Sequence, residues 1–255
     1  MAKGFLLAHG GGTTVPASTR AFIEFAGGPN APIIVLPQSS AEAQAKGTTS
    51  ADWLKQNGAK NVFASALTRA DDPAFPDLLK RLADAGGVWM PGGDQNRLMA
   101  LFARTPVPAT VRAVLERGGI VGGTSAGASL LGEWMPTGNG DPAKMTKNGT
   151  ETAPGLAVWP GVLVDTHFFV RTRYQRTVNM ILSRPELVGV ALDEAAWATF
   201  DNSKNQLTAG GGQVAVFRAT LPVKTDATGR LSGELKQRVL LPGESLDLAA
   251  FRASR

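Results

Sequence analysis

Short apolar runs alternate with amphipathic segments over the first two-thirds of the chain, and this alternation predicts strands and helices in turn. "GFLLAHGG" reads as a first strand, and "STRAFIEFAGG" as a helix capped by Ser18 and closed by Gly27. "APIIVLPQSS" is a continuous apolar run between prolines, the mark of a strand buried on both faces. "SADWLKQNGAK" fits a short helix before the strand "NVFASAL", and "DPAFPDLLKRLADAGG" a helix that feeds the strand in "GVWMPGGD". "NRLMALFARTP" and "ATVRAVLERGG" are helical, and the second leads into "GIVGGTSAG". Strands alternating with helices predict an α/β fold with a mostly parallel sheet covered on both faces. The loops beyond the carboxyl ends of such strands are where a site is expected.

The pattern loosens after Leu131. "ASLLGEWM" is read as a helix following the glycine-rich turn, and residues 136 to 155, "PTGNGDPAKMTKNGTETAPG", as a long surface loop over the site. "VLVDTHFF" predicts a strand and "RYQRTVNMILSRPE" a helix. "LVGVALDEAAWATF" and "QLTAGGGQVAVFRA" alternate around turn signals and predict further strands, some antiparallel. No repeat or linker divides the chain, so residues 1–255 are expected to form one domain.

Composition narrows the chemistry. The chain has no cysteine, which removes disulfides, thiolate metal sites and a cysteine nucleophile together. With two histidines in 255 residues, any histidine-based catalysis uses His9 or His167. The net charge of +5 is dispersed, without a Lys/Arg run, and aromatics make up 7%. This suits an acidic small substrate or polymer better than nucleic acid. No run of about 18 apolar residues predicts a membrane span. The opening segment reads as a strand and not as a signal peptide; a cytoplasmic location is expected, with a secreted form whose leader has been removed as the alternative.

Four segments carry candidate chemistry. Gly123-Thr124-Ser125-Ala126-Gly127 fits G-x-S-x-G between an apolar strand and a helical pattern. Ser125 is then exposed on a sharp turn, with the Ala126 amide aimed at a developing oxyanion and the helix amino end adding positive charge. A small-residue turn that merely packs closely would look the same. "MPGGDQNRL" places a second glycine loop at a strand end, and Gly93 is its candidate oxyanion donor. His167 in "VLVDTHFF" is the candidate base, followed by Arg171, Arg173 and Arg176, a cluster suited to gripping carboxylates. "GVALDEAAW" offers Asp193 or Glu194 to orient His167, with Asp165 as the fallback. "AHGGG" at His9 mimics the H-G-G-G oxyanion motif of lipases. That template would need its acid between Ser125 and His167, at Asp141, Glu151 or Asp165, and none of these sits at a clear strand end.

Taken in order, "GGDQNRL", "GTSAGAS", "GLAVWPGVLVDTHF" with its trailing arginines, and "GVALDEAA" resemble the serine peptidase family S51, which includes cyanophycinase and dipeptidase E. The likeness runs from "AHGGGTT" through "GGGQVAVF" and favours the cyanophycinase branch. It implies a three-layer α/β/α sandwich like the class I glutamine amidotransferases. Ser125 would be the nucleophile, His167 the general base and then acid, and Glu194 the third member. Gly93 and Ala126 would supply the oxyanion amides. Gln95, Asp165, Thr166, Arg171, Arg173 and Arg176 fall at substrate-recognition positions. The implied activity is release of β-Asp-Arg dipeptides from an acidic polymer, without metal or cofactor, by an enzyme for which the family suggests a homodimer. Thr166 stands where the branch has glutamine, and Thr172 where it has glycine. An α-aspartyl dipeptidase and a non-catalytic acidic-peptide binder are the competing readings.

Overall fold

The structure is a computed structural model that describes residues 3–254; Met1, Ala2 and Arg255 lie outside the described residues. The first part alternates as its pattern predicts. Strands β1 (Phe5–His9), β2 (Ile33–Val35), β3 (Val62–Ala64), β4 (Gly87–Met90) and β5 (Ile120–Thr124) are separated by helices α1 (Pro16–Phe25), α2 (Ala43–Gln56), α3 (Phe75–Asp84), α4 (Gln95–Phe102) and α5 (Val107–Glu116). The remainder comprises α6 (Ala126–Ser129), β6 (Gly132–Gly140), a 3-10 turn (Pro142–Lys144), β7 (Thr150–Pro154), β8 (Trp159–Asp165), α7 (Tyr174–Ser183) and β9 (Val188–Leu192). It ends with β10 (Trp197–Asp201), β11 (Gln206–Gly211), β12 (Val214–Thr225), β13 (Leu231–Leu240), β14 (Ser245–Asp247) and α8 (Leu248–Ala253).

These strands form two sheets. The eight-stranded sheet runs β14-β11-β10-β1-β5-β4-β2-β3, and the six-stranded sheet runs β13-β12-β9-β8-β6-β7. The expected parallel character holds for β1, β5, β4, β2 and β3 in the first and for β9, β8 and β6 in the second. The flanking pairs are antiparallel. The chain is thus a mixed α/β fold with two sheets.

Side-chain alternation explains how the larger sheet is buried on both faces. Leu7, Ile33, Val35, Trp89 and Ile120 pack with Phe22, Ile23 and Leu54 from α1 and α2. Leu6, Ile34, Val88, Met90 and Val121 point the other way. They join Leu82, Phe102 and Val111 from α3, α4 and α5 and also Val164, Val190 and Val216 of the smaller sheet. The far face of that sheet, with Leu163, Ala191 and Phe217, meets Met180 and Ile181 of α7. Each fully buried apolar side chain of this size contributes about 1.5–3 kcal/mol by leaving water.

Three local expectations are corrected. α1 starts at Pro16, which has a helical φ and no amide hydrogen to lose; Ser18 lies inside the first turn and donates back to the Val15 carbonyl at 2.8 Å. The helix after Ser125 is a single turn. Gly132 and Trp134 are taken up by pairing with β8, and that tertiary pairing overrides the helical preference of "ASLLGEWM". Residues 136 to 155 are largely an antiparallel hairpin of β6 and β7 and not a long loop. Its ladder is built from backbone groups, so polar and glycine-rich side chains at a sheet edge do not prevent it.

The registers place the site. His9 pairs with Thr124 and Met90 with Gly123, so β1, β4 and β5 end level. In the other sheet Asp165 pairs with Ala191, so β8 and β9 leave their sheet together. Ser125, Pro91-Gly92-Gly93, His167 and Glu194 all follow directly on these ends.

Candidate active site

Ser125 follows β5 with φ 53° and ψ −119°, a backbone state that L-residues rarely adopt and that costs about 1–3 kcal/mol. The turn is locked around it. Its amide donates to the His9 carbonyl at 3.0 Å, and its own carbonyl accepts from the Ala128 and Ser129 amides at 3.0 Å each. Gly127 permits the turn to lie against β4: a Cβ there would overlap the Met90 carbonyl and come 2.9 Å from the Met90 Cβ.

The serine Oγ lies 2.7 Å from Nε2 of His167, and His167 Nδ1 lies 2.6 Å from Oε1 of Glu194. An ionised Glu194 accepts the Nδ1 hydrogen, which leaves Nε2 as the acceptor of the serine hydroxyl. The residues alone left Asp193, Glu194 and Asp165 open as partners of His167, the resemblance implied Glu194, and in the structure Glu194 is the one in contact. Asp193 is engaged elsewhere, its Oδ1 accepting from the Phe169 and Val170 amides at 3.1 Å. Asp141 and Glu151 lie on the hairpin, where Asp141 caps the 3-10 turn.

His167, expected to end its strand, instead lies two residues beyond β8, at φ 51°. It is held there by the first loop of the chain. The His167 amide donates to Gly10 at 2.8 Å and the Ala195 amide to Gly11 at 3.0 Å. Gly11 lies against the imidazole so closely that a Cβ would overlap Cε1 and Nε2 and reach 2.9 Å from Nδ1. "AHGGG" therefore serves as a bed for the histidine and its acid.

In front of Ser125 is a cavity of about 200 Å³. Gly93, Gln95, Ala126, Thr166, Arg171, Arg173 and Arg176 line it with Ser125 and His167. Among the described residues the Gly93 and Ala126 amides donate to no backbone acceptor. With α6 only four residues long, the helix dipole expected to assist is small, and the amides themselves are the polar contribution. Ser129 and Pro136, Thr137 and Gly138 of the hairpin also line the cavity, and sequence reasoning did not assign them. The spacing of Ser129, one turn after Ser125, was the available signal. The hairpin is held by α4: Gln95 Nε2 donates to the Pro136 carbonyl, and Asn96 Nδ2 to Thr137 at 2.8 Å.

The arginines play different parts. Arg171 is exposed; its amide donates to the His167 carbonyl at 3.1 Å, and its side chain makes no hydrogen bond or ion pair among the described residues. Arg173 donates to the Thr166 carbonyl at 2.8 Å and lies 4.0 Å from Asp165. Burial, and then the charge of Arg176, bring its guanidinium down to about 10, so it stays cationic at neutral pH. Arg176 is bound through Nε and Nη2 to both oxygens of Asp165. Asp165 does not line the cavity; it is fully buried and also accepts from Thr177 Oγ1 at 2.7 Å and the Thr166 amide at 2.8 Å. Neutralising it leaves a mostly buried guanidinium without its counter-charge. Asp165→Asn is expected to cost about 3–5 kcal/mol of unfolding free energy, read from the denaturant midpoint.

His9 is absent from the cavity and fully buried. Burial, then the nearby His167, push it from 6.5 down to about 4. In the unfolded chain it binds a proton near pH 6.5, so between pH 6.5 and 4 the unfolded state holds more protons and the folded state loses stability as pH falls. The full loss is about 3 kcal/mol. Denaturation at pH 7 and 4 is expected to show this part of the acid dependence missing from His9→Asn.

Residues 6–208 match peptidase family S51. The chain belongs to that family. Curated relatives include the cyanophycinase of Synechococcus elongatus, 35% identical over 218 residues, which are 84% of this chain and 68% of the relative. The cyanophycinase of Geminocystis herdmanii is 30% identical over 196 residues, 76% of this chain and 72% of the relative. The crystal structure of a peptidase from an acI-B1 Actinobacterium shares the fold at a TM-score of 0.73 and 19% identity, covering 96% of this chain and 97% of that one. The S51 match and the cyanophycinase relatives make the protein a serine-type peptidase. Among the described residues no single helix is long and apolar enough to cross a membrane.

Proposed function

We propose that this S51 peptidase cleaves bonds at aspartyl residues of a β-Asp-Arg polymer, releasing β-Asp-Arg dipeptides through a Ser125-His167-Glu194 triad. The observation that carries the reading is the unbroken chain of short contacts, 2.7 Å and 2.6 Å, that ends in a cavity lined by arginines. His167 Nε2 takes the Ser125 proton as Oγ bonds to the scissile carbonyl carbon. The Gly93 and Ala126 amides receive the oxyanion, worth about 3 kcal/mol per donor. The C–N bond then breaks as His167 returns the proton to the leaving amine, leaving an acyl group on Ser125. Water, deprotonated by the same histidine, attacks that ester, and Oγ recovers its proton. Glu194 stabilises the imidazolium in both halves.

Arg171 and Arg173 would receive the substrate's α-carboxylate, while Asp165 holds Arg176 and so supports the arginine wall. The same reading takes residues 1–255 as one catalytic domain with the layering of the class I glutamine amidotransferases. The α-aspartyl dipeptidase alternative draws support from Thr166, whose short side chain lacks the paired donor and acceptor of the glutamine in the cyanophycinase pattern.

The test is hydrolysis of β-Asp-Arg polymer beside a panel of α-linked Asp-Xaa dipeptides. Polymer cleavage with β-Asp-Arg as product is the expected result. Turnover of the α-linked panel alone would move the enzyme to the dipeptidase side.

A further inference from the structure

We propose that His9 is a positioning residue that fixes the nucleophile turn and the His167 loop relative to one another. The proposal rests on reading Ser125 and His167 as nucleophile and base. His9 ends β1, paired with Thr124 on one side and Trp197 on the other. Its carbonyl accepts the Ser125 amide, and its ring Nδ1 lies 3.2 Å from Thr124 Oγ1, so both its backbone and its side chain hold the residues of the elbow. The same Nδ1 accepts the Gly11 amide at 3.2 Å. Gly11 is the residue that lies against the His167 ring, and its carbonyl holds Ala195, next to Glu194. One buried imidazole thus links the local supports of all three triad members.

Two features separate this from ordinary packing. The ring is fully buried while its Nε2 has no hydrogen-bond partner, a desolvation cost that leucine or valine would not incur. What offsets it is the pair of contacts at Nδ1. That nitrogen must also remain an acceptor, because a hydrogen on it would confront the Gly11 N–H. A neutral ring meets this requirement. His9 touches no part of the cavity, so its effect is on where Ser125 and His167 stand and not on the substrate.

The test uses a fluorophosphonate probe, which reports serine reactivity whatever the natural substrate, with its maximal labelling rate and half-saturating concentration measured separately. His9→Leu removes the acceptor; His9→Asn places an amide oxygen near the position of Nδ1; Thr124→Val removes one partner at a half-buried position. Small misplacements of reacting groups cost up to about a hundredfold, so His9→Leu is expected to slow maximal labelling by roughly 30-fold with half-saturation within about twofold. His9→Asn should return to within about threefold of the parent, and Thr124→Val should be slower by about fivefold. Parent-like labelling of folded His9→Leu, or His9→Asn as slow as His9→Leu, would overturn the proposal. If His9→Leu fails to fold, labelling of Thr124→Val at the parent rate does so instead. Ser125→Ala separates the two levels: labelling that survives this change, or a parent protein that takes no label, refutes the nucleophile assignment itself.

Discussion

Ser125→Ala is expected to lower kcat by roughly a million-fold, the scale seen when a serine peptidase loses its nucleophile. The removed Oγ is the atom 2.7 Å from His167 Nε2. Residual turnover would come from the Gly93 and Ala126 amides and from binding. Stability should change by no more than about 1 kcal/mol, because the hydroxyl faces the cavity and the strained φ of 53° is the same for alanine. Steady-state turnover with a thermal melt on the same sample checks both statements.

Glu194→Gln should cost roughly ten-thousand-fold in kcat with little change in KM, as loss of the third triad charge does in serine peptidases. The carboxylate accepts from Nδ1 at 2.6 Å and thereby keeps the proton off Nε2. A glutamine can turn its amide to donate to Nδ1, which moves the ring hydrogen to Nε2 and leaves the serine proton without an acceptor. The imidazolium that forms later also loses its counter-charge. Asp193 cannot take over while it holds the Phe169 and Val170 amides. Comparing kcat and KM of the variant with those of the parent tests this.

Much of the candidate site's geometry was legible because its signals are local. Apolar runs cut by glycine or proline marked β1, β2, β4 and β5, and G-x-S-x-G marked the elbow between β5 and α6. Histidine scarcity left His167 with one competitor. What could not be read depends on contacts between distant segments. The split into two sheets follows from β6, β8 and β9 pairing with one another across long connections. The β6-β7 hairpin is polar because it lies at an edge, so the alternation that betrays half-buried strands is weak there. Asp165 read as a carboxylate for substrate or for His167, yet it is saturated by Arg176 and Thr177, eleven and twelve residues on, once β8 and α7 fold together. "AHGGG" matched an oxyanion motif by letter, while its packing against His167 shows a supporting bed.

The central claim is that the acyl group passes through Ser125, and the most direct measurement is intact-protein mass spectrometry of acid-quenched β-Asp-Arg polymer reactions, followed by peptide mapping. The account predicts a transient substrate-derived adduct on the peptide carrying Ser125, absent from Ser125→Ala. Polymer cleavage at the parent rate by Ser125→Ala, or an adduct on a different residue, would contradict it.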